Sequence, residues 1–184
     1  MARNIVAERV MPGGTEHGRA QGHSPTEAGV VIRHARLRDL AELGELQRSC
    51  FRPGQAYGLI TLLVLHLWPR AQMLVARCGG RIAGCVVGDV TRDQGRILNL
   101  CVDPDFRRQG IGAMLLAAAE DLLDANDIAL MVEDKNIGAQ ELYRRSGYLA
   151  VGDLRNYYGK NRHGILMQKR RGIPQPPRSS ETSP

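Results

Sequence analysis

The sequence predicts an α/β domain with a mixed central sheet of about seven strands and helices on both faces. Three observations predict it. Short β-branched runs alternate with stretches of helical spacing across residues 30–171, the pattern of a layered α/β fold. Residues 128–132 are apolar at every position, which suits a strand buried on both faces. Residues 97–102 read as a strand that ends in a glycine-punctuated loop and runs straight into a helix-like stretch, 113–125.

Residues 30–34 form a β-branched strand. Residues 39–50 place Leu40, Leu43 and Leu46 at helical spacing. A second, very apolar helix over 57–67 stops before Pro69 and is expected as core rather than as a substrate lip. Residues 72–78 and 81–89 are strands around Gly79-Gly80, a hairpin signal. Residues 96–102 alternate, with Ile97, Asn99 and Cys101 on one side and Leu98, Leu100 and Val102 on the other. The helix after the glycines carries Ile111, Leu115, Ala118 and Leu122 on one face. Residues 136–145 form a helix closed by Gly147 as a left-handed cap. Residues 148–157 and 165–169 are the last two strands, so the order is β-α-α-β-β-β-α-β-α-β-β.

The 184 residues are 43% hydrophobic and 24% charged, ordinary for one soluble globular domain. That domain is expected over 29–171, between a flexible N-terminal segment, 1–28, and a flexible Pro/Ser-rich tail, 172–184. The net charge is +6. Arg3, Arg9 and Arg19 cancel Glu8, Glu16 and Glu27, and Arg178 cancels Glu181, so the excess belongs to the body. Residues 154–171 hold Arg155, Lys160, Arg162, Lys169, Arg170 and Arg171 with no carboxylate. This run reads first as a solvated basic edge, and otherwise as a site for an acidic ligand or RNA. The cysteines, Cys50, Cys78, Cys85 and Cys101, show no C-x-x-C spacing, and the five His show no ligand spacing, so buried thiols and no metal are expected. No secretory or membrane signal is visible. The longest apolar run, 59–68, is interrupted by Thr61 and His66 and falls short of the roughly 20 residues that span a bilayer. A cytoplasmic location is the expectation.

The chemistry concentrates in Asp103-Pro104-Asp105-Phe106-Arg107-Arg108-Gln109-Gly110-Ile111-Gly112. A loop that opens a helix leaves backbone N–H groups unpartnered at the positive end of the helix dipole. The glycines let an anion approach, and Arg107 and Arg108 add charge, so a pyrophosphate ligand fits. A nucleotide P-loop would continue with Lys-Ser or Lys-Thr where Ala113-Met114 stand, and a dinucleotide fingerprint needs a third glycine. The pattern Arg107-x-x-Gly110-x-Gly112 resembles the acetyl-CoA loop of the GNAT superfamily of N-acetyltransferases. Leu98-Asn99-Leu100-Cys101-Val102-Asp103-Pro104, Asn136, Leu142-Tyr143, Gly147-Tyr148 and Arg155-Asn156-Tyr157-Tyr158 are similar to the RimI group, which acetylates ribosomal-protein and other protein N-termini.

The resemblance, spanning 30–171, implies the GNAT fold, acetyl-CoA as co-substrate and a set of site residues. Leu100, Cys101 and Val102 would meet the pantetheine arm as an added strand. Arg107, Arg108, Gln109, Gly110, Ile111, Gly112 and Ala113 would hold the pyrophosphate. Asn136 would contact CoA, a role compatible with being a plain helix N-cap. Tyr143 would protonate the departing thiolate. The acceptor slot is expected from the loop over Phe51 to Tyr57, the apolar second helix and the Arg155 to Tyr158 segment, with Arg155 and Tyr157 shaping it, Tyr157 being favoured over Tyr158 because neighbours on a strand face opposite ways. The family's general-base Glu is replaced by Met131, and Glu133, on the same strand side, is the candidate substitute.

The implied reaction is direct attack of an N-terminal α-amine of a protein or peptide, a ribosomal protein among the candidates, on acetyl-CoA in a ternary complex. Cys101 is the nearest thiol and reads as a strand residue, not an acyl carrier. The rival readings are an acetyltransferase for a small amine or Lys side chain, and a CoA-binding module that has lost its base. RNA recognition has little support, since aromatic residues are 4% of the chain. No membrane or specific nucleic-acid partner is expected, and the chain is expected as a monomer or weak dimer.

Overall fold

A computed structural model describes residues 29–91 and 94–171. The expected flanking segments, 1–28 and 172–184, lie outside the described residues. Among the described residues, seven strands form one sheet in the order β1-β2-β3-β4-β5-β7-β6. β1 (Val31–His34), β2 (Ala71–Cys78), β3 (Arg81–Thr91) and β4 (Gln94–Val102) are antiparallel neighbours. β5 (Asp127–Glu133) runs parallel to β4, and β7 (Gly164–Arg170) lies antiparallel between β5 and β6 (Leu149–Leu154). A parallel step needs a crossover, which α3 (Ile111–Leu123) supplies. The element order matches the sequence expectation, with two short 3-10 turns added at Leu37–Asp39 and Pro104–Phe106.

The sheet is covered on both faces. α1 (Leu40–Cys50) and α2 (Leu59–Leu67) cover one, where Leu43, Leu46 and Leu62 pack on Val75, Cys85 and Val87. α3 and α4 (Ile137–Arg145) cover the other, where Leu115, Leu116, Leu123 and Tyr143 pack with Val86, Ile128 and Leu130. β3 lies in the middle of this sandwich and is buried continuously from Ile82 to Asp89.

Four sequence expectations need correction. The first concerns α2, expected as core. Leu62 alone is buried there, while Leu59, Ile60 and Leu67 are 57%, 80% and 65% exposed. A helix apolar all round carries no periodic signal, so composition could not tell that one face stays uncovered. The second is the stripe of α3, which runs through Ile111, Leu115, Leu116, Ala119 and Leu123, while Leu122 faces outward. The third is the strand expected over 148–157. It stops at Leu154, and turns follow in which Asn156, Gly159 and Asn161 have φ of +57°, +115° and +59°, values incompatible with a pleat. The fourth is the basic run. Arg162, Lys169, Arg170 and Arg171 pair with Glu133, Glu120, Asp127 and Asp121 at 2.6, 2.6, 3.2 and 2.7 Å. The carboxylates come from α3 and β5, distant in sequence, and they neutralise most of the surface an RNA would need.

Candidate active site

The sheet opens along one seam. β4 and β5 are paired from Gln94↔Asp127 to Ile97↔Leu130 and no further, although β4 continues to Val102 and β5 to Glu133. The divergence begins at a bulge. Val87 faces Asn99 and Gly88 faces Ile97, so Leu98 is the extra residue on β4, and a bulge bends its strand and interrupts pairing. It also corrects the expected alternation. Ile97 packs with the α3 side, whereas Leu98 and Cys101 pack with the α1 side.

The bulge is held from two directions. Tyr57 Oη donates to the Leu98 carbonyl at 3.3 Å. Gln47 of α1 and Asn99 exchange amide hydrogen bonds of 2.9 and 3.3 Å in the buried core. Gln47 was not among the sequence candidates, whereas Tyr57 ends the 51–57 loop expected to help build the acceptor site. The available signal was an asparagine within an apolar run, Asn99, where a buried polar side chain implies a partner.

Register decides which β4 amides face the seam. Asp103 N–H donates to the Ala83 carbonyl at 2.9 Å, with Val102 opposite Gly84 and Cys101 opposite Cys85. Alternate residues of an antiparallel strand turn their amides to the same neighbour, so Cys101 spends its amide on β3. Leu100 and Val102 turn theirs toward the seam. This corrects the expectation that all three would offer backbone groups. The Val102 carbonyl already accepts from Arg107 Nε at 3.1 Å and from the Cys50 thiol at 3.4 Å.

Below the seam, Gly110 opens α3 with φ +81° and no side-chain cap, so the first-turn N–H groups have no capping oxygen. Arg108 is also left-handed, at φ +65°. Gly112 is required for a different reason. A Cβ there would lie 3.2 Å from Leu142 Cδ2 of α4 and 3.6 Å from Val102 Cγ2, so this glycine sets how closely α3 approaches α4 and the seam. Asn136 caps α4, its side chain accepting from Ala139 N–H at 3.2 Å.

Tyr143 of α4 is 6% exposed and packs against the Tyr148 ring at 5.9 Å. Burial pushes its phenol up to about 12, with a further push from the Cys101 thiol across the seam. Glu133 is differently placed than its proposed task requires. Arg162 Nε and Nη2 donate to its two oxygens at 2.7 and 2.6 Å, and that pairing holds its carboxyl below the ordinary range, which makes it a weaker proton acceptor. Arg162 also lies 5.9 Å over the Tyr158 ring and donates to the Tyr158 carbonyl at 3.1 Å. Tyr158 Oη donates to the Met131 carbonyl at 2.8 Å, and its ring meets Tyr157 edge-on at 4.9 Å. Tyr157 is 53% exposed, and Arg155 is exposed. The Met131 thioether fills the space beside Gly164 and Tyr157, where a Cβ on Gly164 would lie 2.8 Å from Met131 Sδ.

These pieces frame a groove whose floor is the seam. One wall is the loop from α1 to α2 with Tyr57, and the other is the turn carrying Tyr157 and Tyr158. Beside it lies a cavity of about 330 Å³ lined by Val64, Leu65, Trp68, Asp89 and Arg96. Among the described residues, no group of His, Cys, Asp and Glu is arranged to hold a metal ion, and no helix is long and apolar enough to cross a membrane.

The profile of the acetyltransferase (GNAT) family matches residues 40–148, from α1 through the glycine loop to Tyr148. The chain belongs to the GNAT acetyltransferase family. It is 30% identical over 148 residues to an uncharacterized N-acetyltransferase of Methanocaldococcus jannaschii, covering 77% of this chain and 92% of that one. It is likewise 30% identical over 140 residues to a putative ribosomal protein bS18-alanine N-acetyltransferase of Bacillus subtilis, covering 74% and 92%. The crystal structure of the ribosomal-protein-S18-alanine N-acetyltransferase from Escherichia coli superposes with a TM-score of 0.70 at 23% identity, covering 79% of this chain and 96% of that one, a likeness of fold.

As a GNAT member the chain is an N-acetyltransferase that uses acetyl-CoA. The residues present fit that co-substrate. The uncapped first turn of α3 suits a pyrophosphate, and the outward amides of Leu100 and Val102 suit the amide-bearing pantetheine arm.

Proposed function

We propose that this GNAT enzyme acetylates the N-terminal α-amine of a protein or peptide, a ribosomal protein being one candidate. The observation that carries the choice of amine is the state of β5. Met131 has no proton-accepting atom of use, and Glu133 is held ionised by Arg162. Such a site favours an acceptor that reaches it neutral. A peptide α-amine, with pKa near 8, is roughly one-tenth neutral at pH 7, whereas a Lys amine near 10.4 is almost wholly charged. Relatives named as alanine N-acetyltransferases support the same choice.

In this reading Leu100 and Val102 hold the donor along the seam, and Arg108 to Ala113 hold its pyrophosphate. Acetyl-CoA supplies a thioester carbon open to attack by an amine. The seam orients the two reactants, which removes much of the entropic barrier. Tyr143 stays protonated across the physiological range and gives its hydrogen bond, then its proton, to the sulfur as the C–S bond breaks. The amine proton released on amide formation leaves to solvent through the groove, and an equivalent proton returns from solvent to the Tyr143 phenolate. Arg155 and Tyr157 line the acceptor side, Tyr157 lying on a turn braced by Tyr158.

The test is mass spectrometry of acetyl-CoA reactions with peptides bearing free α-amines, the same peptides α-blocked but carrying Lys, and polyamines. Acetylation confined to free α-amines is expected. Product on Lys or polyamines alone would overturn the reading.

Glu133 is assigned a positioning role, bracing the 155–163 turn through Arg162. Because its carboxyl is held below the ordinary range, it is ionised throughout pH 6–9 and adds no inflection there. Glu133→Gln is therefore expected to lower kcat/KM for the acceptor while leaving the pH midpoint in place. A rate loss accompanied by an upward-shifted midpoint would instead make Glu133 the base.

A further inference from the structure

The cavity beside the groove takes no part in the chemistry described so far. It measures about 330 Å³, and its lining includes Val64, Leu65, Trp68, Arg70, Asp89 and Arg96. Ligand pockets run from roughly 300 to 1,000 Å³, so this one has room for a long side chain and not for a second cofactor. Val87 packs with α1 and α2, and Asp89, two residues on along β3, faces the same way. Leu65 packs in the same cluster as Tyr57 and Leu98. The cavity therefore adjoins the Tyr57 wall of the groove, on the face of the sheet opposite α3 and the glycine loop. Its occupant arrives with the acceptor and not with acetyl-CoA.

Charge selects that occupant. Asp89 is 8% exposed and spends both oxygens on Arg96, whose Nε and Nη2 donate at 2.8 and 2.5 Å. Among the described residues, the lining thus sets one carboxylate against two guanidiniums, and Arg70 has no ion-pair or hydrogen-bond partner. The rim carries the same sign. Residues 51–58 contribute Arg52 and no carboxylate. Residues 155–163 contribute Arg155, Lys160 and Arg162 and no carboxylate, with Arg162 neutralised by Glu133. A wholly apolar occupant would strip water from Arg70 and return nothing. A carboxylate answers the excess charge, while Val64, Leu65 and Trp68 give its methylene groups a wall to lie against.

We propose that this cavity is a subsite for a glutamate side chain borne by the third to fifth residue of the acceptor peptide. The inference rests on the α-amine reading above. The spacing follows from β4. Arg96 lies four residues before Leu100, whose amide turns to the seam, a separation of roughly 13 Å at about 3.3 Å per residue. An extended peptide with its amine at the seam covers that distance in a similar number of residues, and the length of an arginine side chain shortens it by one or two. The subsite lies away from the thioester, so it acts on KM rather than on kcat.

The experiment assays the full chain at saturating acetyl-CoA with Ala-initiated peptides that carry Glu, Gln, Lys or Phe at position 3, 4 or 5. The acetylated forms of the same peptides are titrated against the CoA-bound chain by fluorescence anisotropy, which reads binding without turnover. Glu is expected to lower KM about fivefold relative to Gln at one of these positions, the upper range for a partly exposed ion pair, with kcat within about twofold. Raising the salt from about 0.05 to 0.5 M should erase most of the difference. Arg70→Gln leaves the Asp89–Arg96 pair in place and should remove the preference, and Arg70→Glu should turn it toward Lys. Equal KM for Glu and Gln at all three positions, or a preference for Phe, overturns the subsite and leaves the α-amine reading standing. Tighter, Arg70-dependent binding of the Glu peptides with no α-amine turnover would instead defeat that reading and keep the subsite.

Discussion

Replacing Tyr143 by Phe is expected to lower kcat by about 10²- to 10⁴-fold, the usual contribution of a positioned acid, with acetyl-CoA KM nearly unchanged. Phe keeps the ring that packs against Tyr148 and removes only the phenol hydroxyl. At about 12, that phenol is some distance above a free thiol near 8.5. Complete proton transfer to a solvated thiolate would be uphill by roughly 5 kcal/mol. A thiolate leaving inside the same buried seam is desolvated too, which raises its basicity and narrows the gap. The hydroxyl therefore acts mainly as a hydrogen-bond donor until the sulfur charge is nearly full. Stopped assays on the acceptor peptide, with acetyl-CoA titrated separately, check this. A fall in kcat of less than about threefold would remove Tyr143 from the chemistry.

Gly110→Val is expected to have the second largest effect, on donor affinity and stability together. Gly110 has φ +81° at the start of α3, where an L residue costs about 1–2 kcal/mol and a β-branched one more. Relaxing that strain re-aims the first-turn N–H groups, so acetyl-CoA Kd should rise by about tenfold or more, a loss of at least ~1.4 kcal/mol of binding. Gly138→Ala is the control. It lies within α4 with nothing within 4 Å of the added methyl, and it should gain about 0.5–1 kcal/mol of stability. Thermal melts with and without acetyl-CoA separate the two effects. Equal donor affinity in Gly110→Val and the parent chain would sink the assignment of the glycine loop.

Particular residues show why the fold and part of the site were legible in the sequence. Gly79-Gly80, Gly110 and Gly147 all have positive φ, and glycine is the residue such turns select. Each marked its element boundary to within a residue or two. The glycine loop could be read as an anion cradle because backbone amides and flanking arginines are local features. What stayed hidden was non-local. The bulge at Leu98 depends on how β3 and β4 align, and no pattern within β4 reports it. The Glu133–Arg162 pair joins residues 29 apart, and a carboxylate read without its partner looks like a base. The bare face of α2 depends on what lies over it, which composition does not record.

The position of β7 has a consequence for the making of the protein. In the sheet it separates β5 from β6, although among the described residues it is the last strand. A nascent chain that has already released everything through β6 still has an open edge on β5, along Met131 and Glu133. Nothing can close that edge until Gly164–Arg170 has been synthesised, about a second later at typical elongation rates. Synthesis of β7 therefore sets the earliest moment at which the acceptor half of the groove can form. A chain that ends just past β6 lacks the strand that covers this edge of β5 and so lacks the acceptor wall.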